Sequence, residues 1–261
     1  MISRPTPSTA VCILMLAFTL EALGTPNAFA SGPRFRAIVL AEGKGHHGPF
    51  DEAARKWLTK LACDSNFAVD FFPNPDSVTT TFLSRYRLFI QLDYPPYAWN
   101  DTAKAALEKY INEGSGGWIG FHHASLLGEF DGYPMWQWFS DFMGGIRWKD
   151  YIPTFADGTI NVEDSDHPAM IGIPGSFTVK AEEWYTYDKS PRPGVHVLAS
   201  VNESTYAPPS GIRMGDHPVV WTNPHVKARN IYIFMGHHPE LFDNPAFTRL
   251  FHNAIFWAVS R

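Results

Sequence analysis

Cysteine is nearly absent: the chain of 261 residues has two. Cys12 lies in a segment that reads as a leader, and once that segment is removed Cys63 is the only thiol. A lone thiol makes no internal disulfide, so the domain must be held by its core. Cys63 follows Leu58, Leu61 and Ala62 in a helical pattern and is expected to be a small buried hydrophobe, not a nucleophile. An excess of positive charge is also missing. The formal net charge is −5, no Lys/Arg cluster stands out, and no nucleic-acid partner is expected. Repeats, low-complexity tracts and an interdomain linker are absent too, and nothing specifies an oligomeric state. Aromatic residues, in contrast, are plentiful at 15%, with nine Trp in a chain that is 45% hydrophobic. This is the composition of a globular protein.

The first thirty residues have the layout of a secretory signal peptide. Arg4 provides the positive start, Val11 to Leu20 the apolar run, and Ala28-Phe29-Ala30 a small-x-small cleavage site before Ser31. The apolar run is about half the ~20 residues that span a bilayer. The expectation is a leader over 1–30 and one domain over 31–261, periplasmic or secreted, with no membrane attachment after cleavage.

Within that domain, strand and helix patterns alternate. Arg36 to Ala41, Phe67 to Phe72, Arg87 to Leu92 and Gly116 to Phe121 read as buried strands. Phe50, Ala53, Ala54, Trp57, Leu58 and Leu61 share one helical face, as do Ala103, Ala106, Leu107, Tyr110 and Ile111. Asn100 or Asp101 caps the second of these helices and Gly114 ends it. Alternation of this kind predicts an α/β fold with a parallel sheet covered on both faces. Tyr133 to Gly145 reads as a short aromatic helix and a turn. Short strand-like runs between Thr159 and Thr222 read as antiparallel additions. Asn230 to Met235 returns to a buried strand. Asn244-Pro245 opens a last helix with Phe247, Leu250, Phe251, Ala254, Ile255 and Ala258 on its buried face.

Three of the strand-like runs end in the same way. Ala37 to Ala41 leads to Gly45-His46-His47, Gly117 to Phe121 to His122-His123, and Ile231 to Met235 to Gly236-His237-His238. If these strands are parallel in one sheet, their carboxyl ends share the edge at which open α/β sheets bind ligands. The doublets would then converge from distant parts of the chain. A histidine at a strand end is often only a packing residue, but six of the 11 histidines fall in these doublets.

His47, Gly116-Gly117-x-x-Gly120-x-His122, Asp166-His167-Pro168, Glu183-Trp184-Tyr185, Pro218-Val219-Val220-Trp221 and Gly236-His237 occur in the order found in the ThuA-like (trehalose-utilisation) proteins. The chain resembles that family over the whole mature domain. The resemblance implies a flavodoxin-like fold of the class I glutamine amidotransferase type: a mostly parallel sheet, helices on both faces and antiparallel additions. Amidotransferases place a nucleophilic cysteine at the elbow after the central strand. Here the elbow is Phe121-His122-His123, so the thiolate is missing and glutaminase chemistry is excluded, despite His238-Pro239-Glu240.

The resemblance selects His47, His122 and His237 from the doublets, leaving His46, His123 and His238 as packing partners, and favours Glu183 over Glu182. Neighbours in an extended segment face opposite ways, so one glutamate can line a pocket while the other meets solvent. These four are the candidate catalytic residues. Tyr185, Trp221, Trp136 and His217 are candidate substrate contacts, and Trp138 is a further aromatic beside them. Asp166-His167-Pro168 reads first as a turn. The three selected histidines also make a candidate site for a divalent metal such as zinc, beside a metal-free alternative in which imidazole only moves protons. The resemblance implies a small-molecule carbohydrate partner and an enzyme acting on disaccharides or keto-glycosides by His/Glu acid-base chemistry. A non-catalytic sugar-binding protein and a metal-dependent hydrolase of another substrate remain as alternatives.

Overall fold

The computed structural model describes residues 32–260, so the leader read over 1–30 and the start at Ser31 lie outside the described residues. The first half alternates as its apolar runs predict: β1 (Arg36–Ala41), α1 (Gly48–Ser65), β2 (Ala68–Phe72), α2 (Thr80–Leu83), β3 (Leu88–Leu92), α3 (Asp101–Glu113) and β4 (Gly117–Phe121). Then come α4 (Gln137–Phe142), β5 (Trp148–Tyr151), β6 (Ala156–Val162), β7 (Ser176–Glu182), β8 (Tyr185–Tyr187), β9 (His196–Ala207), β10 (Pro218–Thr222), β11 (Asn230–Ile233) and α5 (Pro245–Val259).

Nine strands make one sheet in the order β2-β1-β3-β4-β11-β10-β9-β6-β7. The five from β2 to β11 are mutually parallel, and the last four strands join as antiparallel additions. All residues of β3, β4 and β11 are buried, as strands covered on both faces require. Phe121 packs on Phe50 of α1 and Phe251 of α5, while Trp118 meets Phe139 and Phe142 of α4. Odd and even positions of β4 thus face opposite helical layers. Gly117 has no room for a side chain, because a Cβ there would lie 2.5 Å from the Ala258 carbonyl of α5.

The capping residues act as their sequence positions suggest. The Asn100 side chain accepts from Ala103 N, Gly114 takes the left-handed C-cap, and Asn244 accepts from Ala246 N ahead of the seven buried apolar residues of α5. Each such phenylalanine contributes about 1.5–3 kcal/mol by burial. Cys63 corrects its expectation: it is exposed. The buried stripe of α1 runs through Ala54, Leu58 and Ala62, and Cys63 falls one step (~100°) further round the helix. Among the described residues no helix is long and apolar enough to cross a membrane.

Candidate functional site

The carboxyl ends of β1, β3, β4 and β11 lie side by side, and each leads into a polar residue: His47, Asp93, His122 and His237. His122 stands at a sharp elbow with φ +36, a conformation that costs a non-glycine residue energy and is concentrated at functional sites. Several contacts hold it there. The Ser125 and Tyr232 hydroxyls each approach the His122 carbonyl to 2.9 Å, and the Tyr187 hydroxyl donates to Ser125 Oγ at 2.7 Å. A Cβ on Gly236 would come within 2.7 Å of the His122 Cβ, so only glycine lets β11 end this close to the elbow.

Four side chains meet above this elbow. His47 Nε2 lies 3.1 Å from His237 Nδ1, and Glu183 Oε2 lies 3.4 Å from His122 Nε2 and 3.5 Å from His237 Nδ1. One ligand atom from each of the four falls within 4.8 Å of every other. The Tyr185 hydroxyl reaches both His122 Nε2 and Glu183 Oε2 at 3.0 Å. Burial, then His123 and His47, pushes the His122 pKa well below its ordinary value. Burial, then His122 and His47, takes His237 to about 3. Both imidazoles are neutral near pH 7. Burial, then Glu183, raises the Tyr185 phenol well above its ordinary range, so it stays a hydrogen-bond donor.

The donor set suits a divalent cation. His122 Nδ1 faces the Phe234 carbonyl at 3.3 Å, which places the proton on Nδ1 and leaves Nε2 as an acceptor. The single Tyr185 proton then faces two acceptors, His122 Nε2 and Glu183 Oε2, which leaves one acceptor over. Ligands about 2.0–2.1 Å from a tetrahedral zinc stand about 3.3 Å apart, and the 3.1 Å between His47 Nε2 and His237 Nδ1 is close to that value.

The cluster opens into a cavity of about 380 Å³ lined by His46, His47, His123, Glu183, Tyr185 and His237, with Leu126, Trp148, Tyr151, Pro153 and Phe155 as its apolar wall. Phe155 lies 4.4 Å from the His237 ring, and Tyr151 and Phe155 are exposed.

Three expected substrate contacts are elsewhere and need correction. Trp136 packs on Trp99 and donates to Glu108. Trp221 is core, its ring 4.4 Å from Tyr232. His217 is closed off against Glu203 at 2.9 Å and Tyr206 at 3.3 Å. Trp138 stacks on Phe142. Asp166-His167-Pro168 is the turn its composition suggests: Asp164 accepts from both Asp166 N and His167 N, and His167 packs on Trp257.

The glutamate pair also departs from simple alternation. Glu182 does not meet solvent; it is fully buried, accepts from Gly236 N at 3.3 Å, and lies 3.8 Å from His122 Nδ1. The cause is local: Ala181 has φ +47 and the β6–β7 register shifts between Ala156 and Gly158, so neighbours no longer point to opposite faces. Burial raises the Glu182 pKa to about 8. Nor is His123 a mere packing partner, since it lines the cavity and sits 3.4 Å from Glu42.

Residues the sequence did not single out complete the surroundings. Asp93 is fully buried at φ +42 with both carboxyl oxygens unpartnered; its place directly after β3 was the available signal. Burial, then Asp51, Glu182 and Glu42, pushes its pKa well up. Glu240, of the His-Pro-Glu match, is exposed.

The profile of the ThuA (trehalose utilisation) family matches residues 36–258. Among solved structures, a putative ThuA-like protein from Bacteroides uniformis is 31% identical, with TM-score 0.77, covering 91% of this chain and 96% of that one. A putative ThuA-like protein from Parabacteroides merdae is 17% identical, with TM-score 0.63 and coverage of 87% and 90%. A putative GMP synthase protein from Thermoplasma acidophilum, 14% identical with TM-score 0.55 and coverage of 85% and 93%, shares the fold alone. No curated protein matches the chain. With the family profile spanning nearly all of the described domain, the chain belongs to the ThuA, trehalose-utilisation, family.

Proposed function

We propose that the protein is an exported enzyme of carbohydrate utilisation that acts on a disaccharide or keto-glycoside through His/Glu acid-base chemistry. The observation that carries this reading is the meeting of His47, His237 and Glu183 in one aromatic-walled cavity, with His122 fully buried directly behind them. Sugar rings present apolar C–H faces that stack on aromatic side chains, and Trp148, Tyr151, Phe155 and Tyr185 offer such faces. Binding alone does not call for so many imidazoles at one point, which counts against a non-catalytic sugar-binding role.

Each residue then has a task. Glu183, the cavity-facing carboxylate, takes the proton from the carbon beside a substrate carbonyl. The Tyr185 phenol donates a hydrogen bond to the oxygen on which negative charge develops, and its raised pKa keeps its own proton in place. His47, His122 and His237 would hold a divalent cation, which when bound supplies Lewis-acid polarisation of that carbonyl. The neutral state of His122 and His237 near pH 7 favours such ligation, since no proton has to leave first. The substrate is small and diffusible, and the leader over residues 1–30, cleaved after Ala28-Phe29-Ala30, brings the enzyme to it.

The test is turnover of keto-trehalose by zinc-loaded protein, followed by chromatography, with trehalose, which has no carbonyl, as the control. Conversion by the wild-type chain and its loss in Glu183→Gln are expected. Unchanged turnover by Glu183→Gln would remove Glu183 from the chemistry. Intact mass of the exported protein should correspond to a start at Ser31, and a mass retaining residues 1–30 would refute the leader.

A further inference from the structure

His47 has two ring nitrogens, and only Nε2 points to the cluster described above. Its Nδ1 lies 3.5 Å from Glu42 Oε2, and the same oxygen is 3.4 Å from Nδ1 of His123. The His47 and His123 rings are 4.0 Å apart at 70° to each other. One ligand atom each from Glu42, His47 and His123 falls within 4.8 Å of the others. Glu42 Oε2 is buried and has no hydrogen-bond partner. Two imidazole nitrogens therefore approach it at ion-pair distance without directing an N–H along the line to it. Nitrogens that face a shared centre give this arrangement: contacts of 3.4 and 3.5 Å are near the ~3.3 Å edge of a zinc tetrahedron.

The charge balance points the same way. Beside Glu42, Asp51 Oδ1 and both oxygens of Asp93 are buried without partners. No Lys or Arg forms an ion pair with Glu42, the only one of these carboxyls in the inferred ligand set, among the described residues; burial pushes Asp51 up to about 6 and Asp93 well up, so those two call for no cation. Buried carboxylates are ordinarily paired or bound to metal.

From these contacts we infer a second divalent-cation position, formed by Glu42 Oε2, His47 Nδ1 and His123 Nδ1, next to the one that the proposed function assigns to His47 Nε2, His122 and His237. With three protein ligands it keeps a coordination position open, and His47 and His123 both line the cavity, so that position can take water or a substrate oxygen. His47 bridges the two cations as an imidazolate, and its remaining N–H proton goes to solvent when the second cation binds. The inference rests on the proposed function only in that both cations share His47.

Metal counting separates the two. The purified chain is stripped with chelator, given excess Zn²⁺, dialysed, and its bound zinc measured by mass spectrometry, with circular dichroism as a check on folding. Two equivalents are expected for the wild-type chain, and one each for Glu42→Gln, His123→Asn and His237→Asn, with different atoms retained. An unbuffered indicator should record more proton release for the second equivalent in the wild-type chain than either single-site variant shows. One wild-type equivalent that survives Glu42→Gln and His123→Asn but is lost in His237→Asn would overturn the second position and leave the first standing. One equivalent lost in Glu42→Gln and kept in His237→Asn would do the reverse. No bound zinc in the wild-type chain would overturn both.

Discussion

Two buried histidine–carboxylate groups in this protein use the same residue types to opposite ends. Around His217 the carboxylate is filled, although the buried His217 Nε2 has no partner: Glu203 accepts from Met214 N, Gly215 N and His217 Nδ1, and the Tyr206 hydroxyl sits 3.3 Å from His217 Nδ1. Trp184 and Phe234 cover the ring. That carboxylate is saturated and fastens the 214–217 turn to β9. Around His122 acceptors outnumber donors, the backbone is forced to φ +36, and a cavity opens alongside. A carboxylate filled by local donors fastens the chain, whereas a polar cluster beside a cavity, with an acceptor to spare, can take a ligand from outside.

The widest contrast should come from deleting one imidazole in each group. His122→Ala, which removes an inferred cation ligand and the support of Tyr185 and Glu183, is expected to lower turnover by about 10²–10⁴-fold, as much as loss of the acid-base group itself, and chromatographic assays of folded protein would detect it. His217→Ala should leave turnover per folded molecule unchanged but lower stability by about 1–3 kcal/mol in urea titration, because Glu203 loses a buried partner. Equal loss of activity in both variants would erase the distinction.

The acid and alkaline limbs of stability sharpen it further. His237 falls from its ordinary 6.5 to about 3 on folding, so between those values the unfolded chain binds more protons and stability rises with pH. Glu182 rises from 4.5 to about 8, so across that window the folded chain binds more protons and stability falls with pH. In chelator, stability should therefore climb from pH 3 to 4.5 and decline from 6.5 to 8, with opposing contributions between. Glu182→Gln should flatten the upper decline in urea midpoints taken across that range. A decline as steep as in the wild-type chain would assign it to other groups.

The smallest effect is expected at Cys63. Cys63→Ser on the exposed face of α1 should change stability by no more than about 0.5 kcal/mol and leave turnover intact. A large loss would reopen thiol chemistry.

Much of the fold was legible because β1, β3 and β4 are buried on both faces and so appear as mainly apolar runs, interrupted only by Gln91 in β3 and the opening Arg36 of β1. The His doublets were legible for the same reason, since a parallel strand delivers whatever follows it to one edge. Glu183 needed the family resemblance, because nothing local separates it from Glu182 once Ala181 breaks the alternation. The aromatic wall escaped because Trp148 and Tyr151 belong to β5, whose pairing with β8 shifts register between Trp148 and Asp150; the strand carries no regular period. Trp221 and Trp136 misled for a converse reason. A tryptophan in a strand or against a helix looks the same in sequence whether it faces a cavity or the core, and only packing decides.

The central claim is that Glu183, with the histidines converging beside it, moves a proton on the substrate. Nuclear magnetic resonance of keto-trehalose in D₂O with zinc-loaded protein tests it most directly, by following exchange of the C–H proton beside the carbonyl. Exchange is expected with the wild-type chain, and at the protein-free rate with Glu183→Gln and with His122→Ala. Exchange at the wild-type rate in folded Glu183→Gln, or none in the wild-type chain while it turns the substrate over, would contradict it.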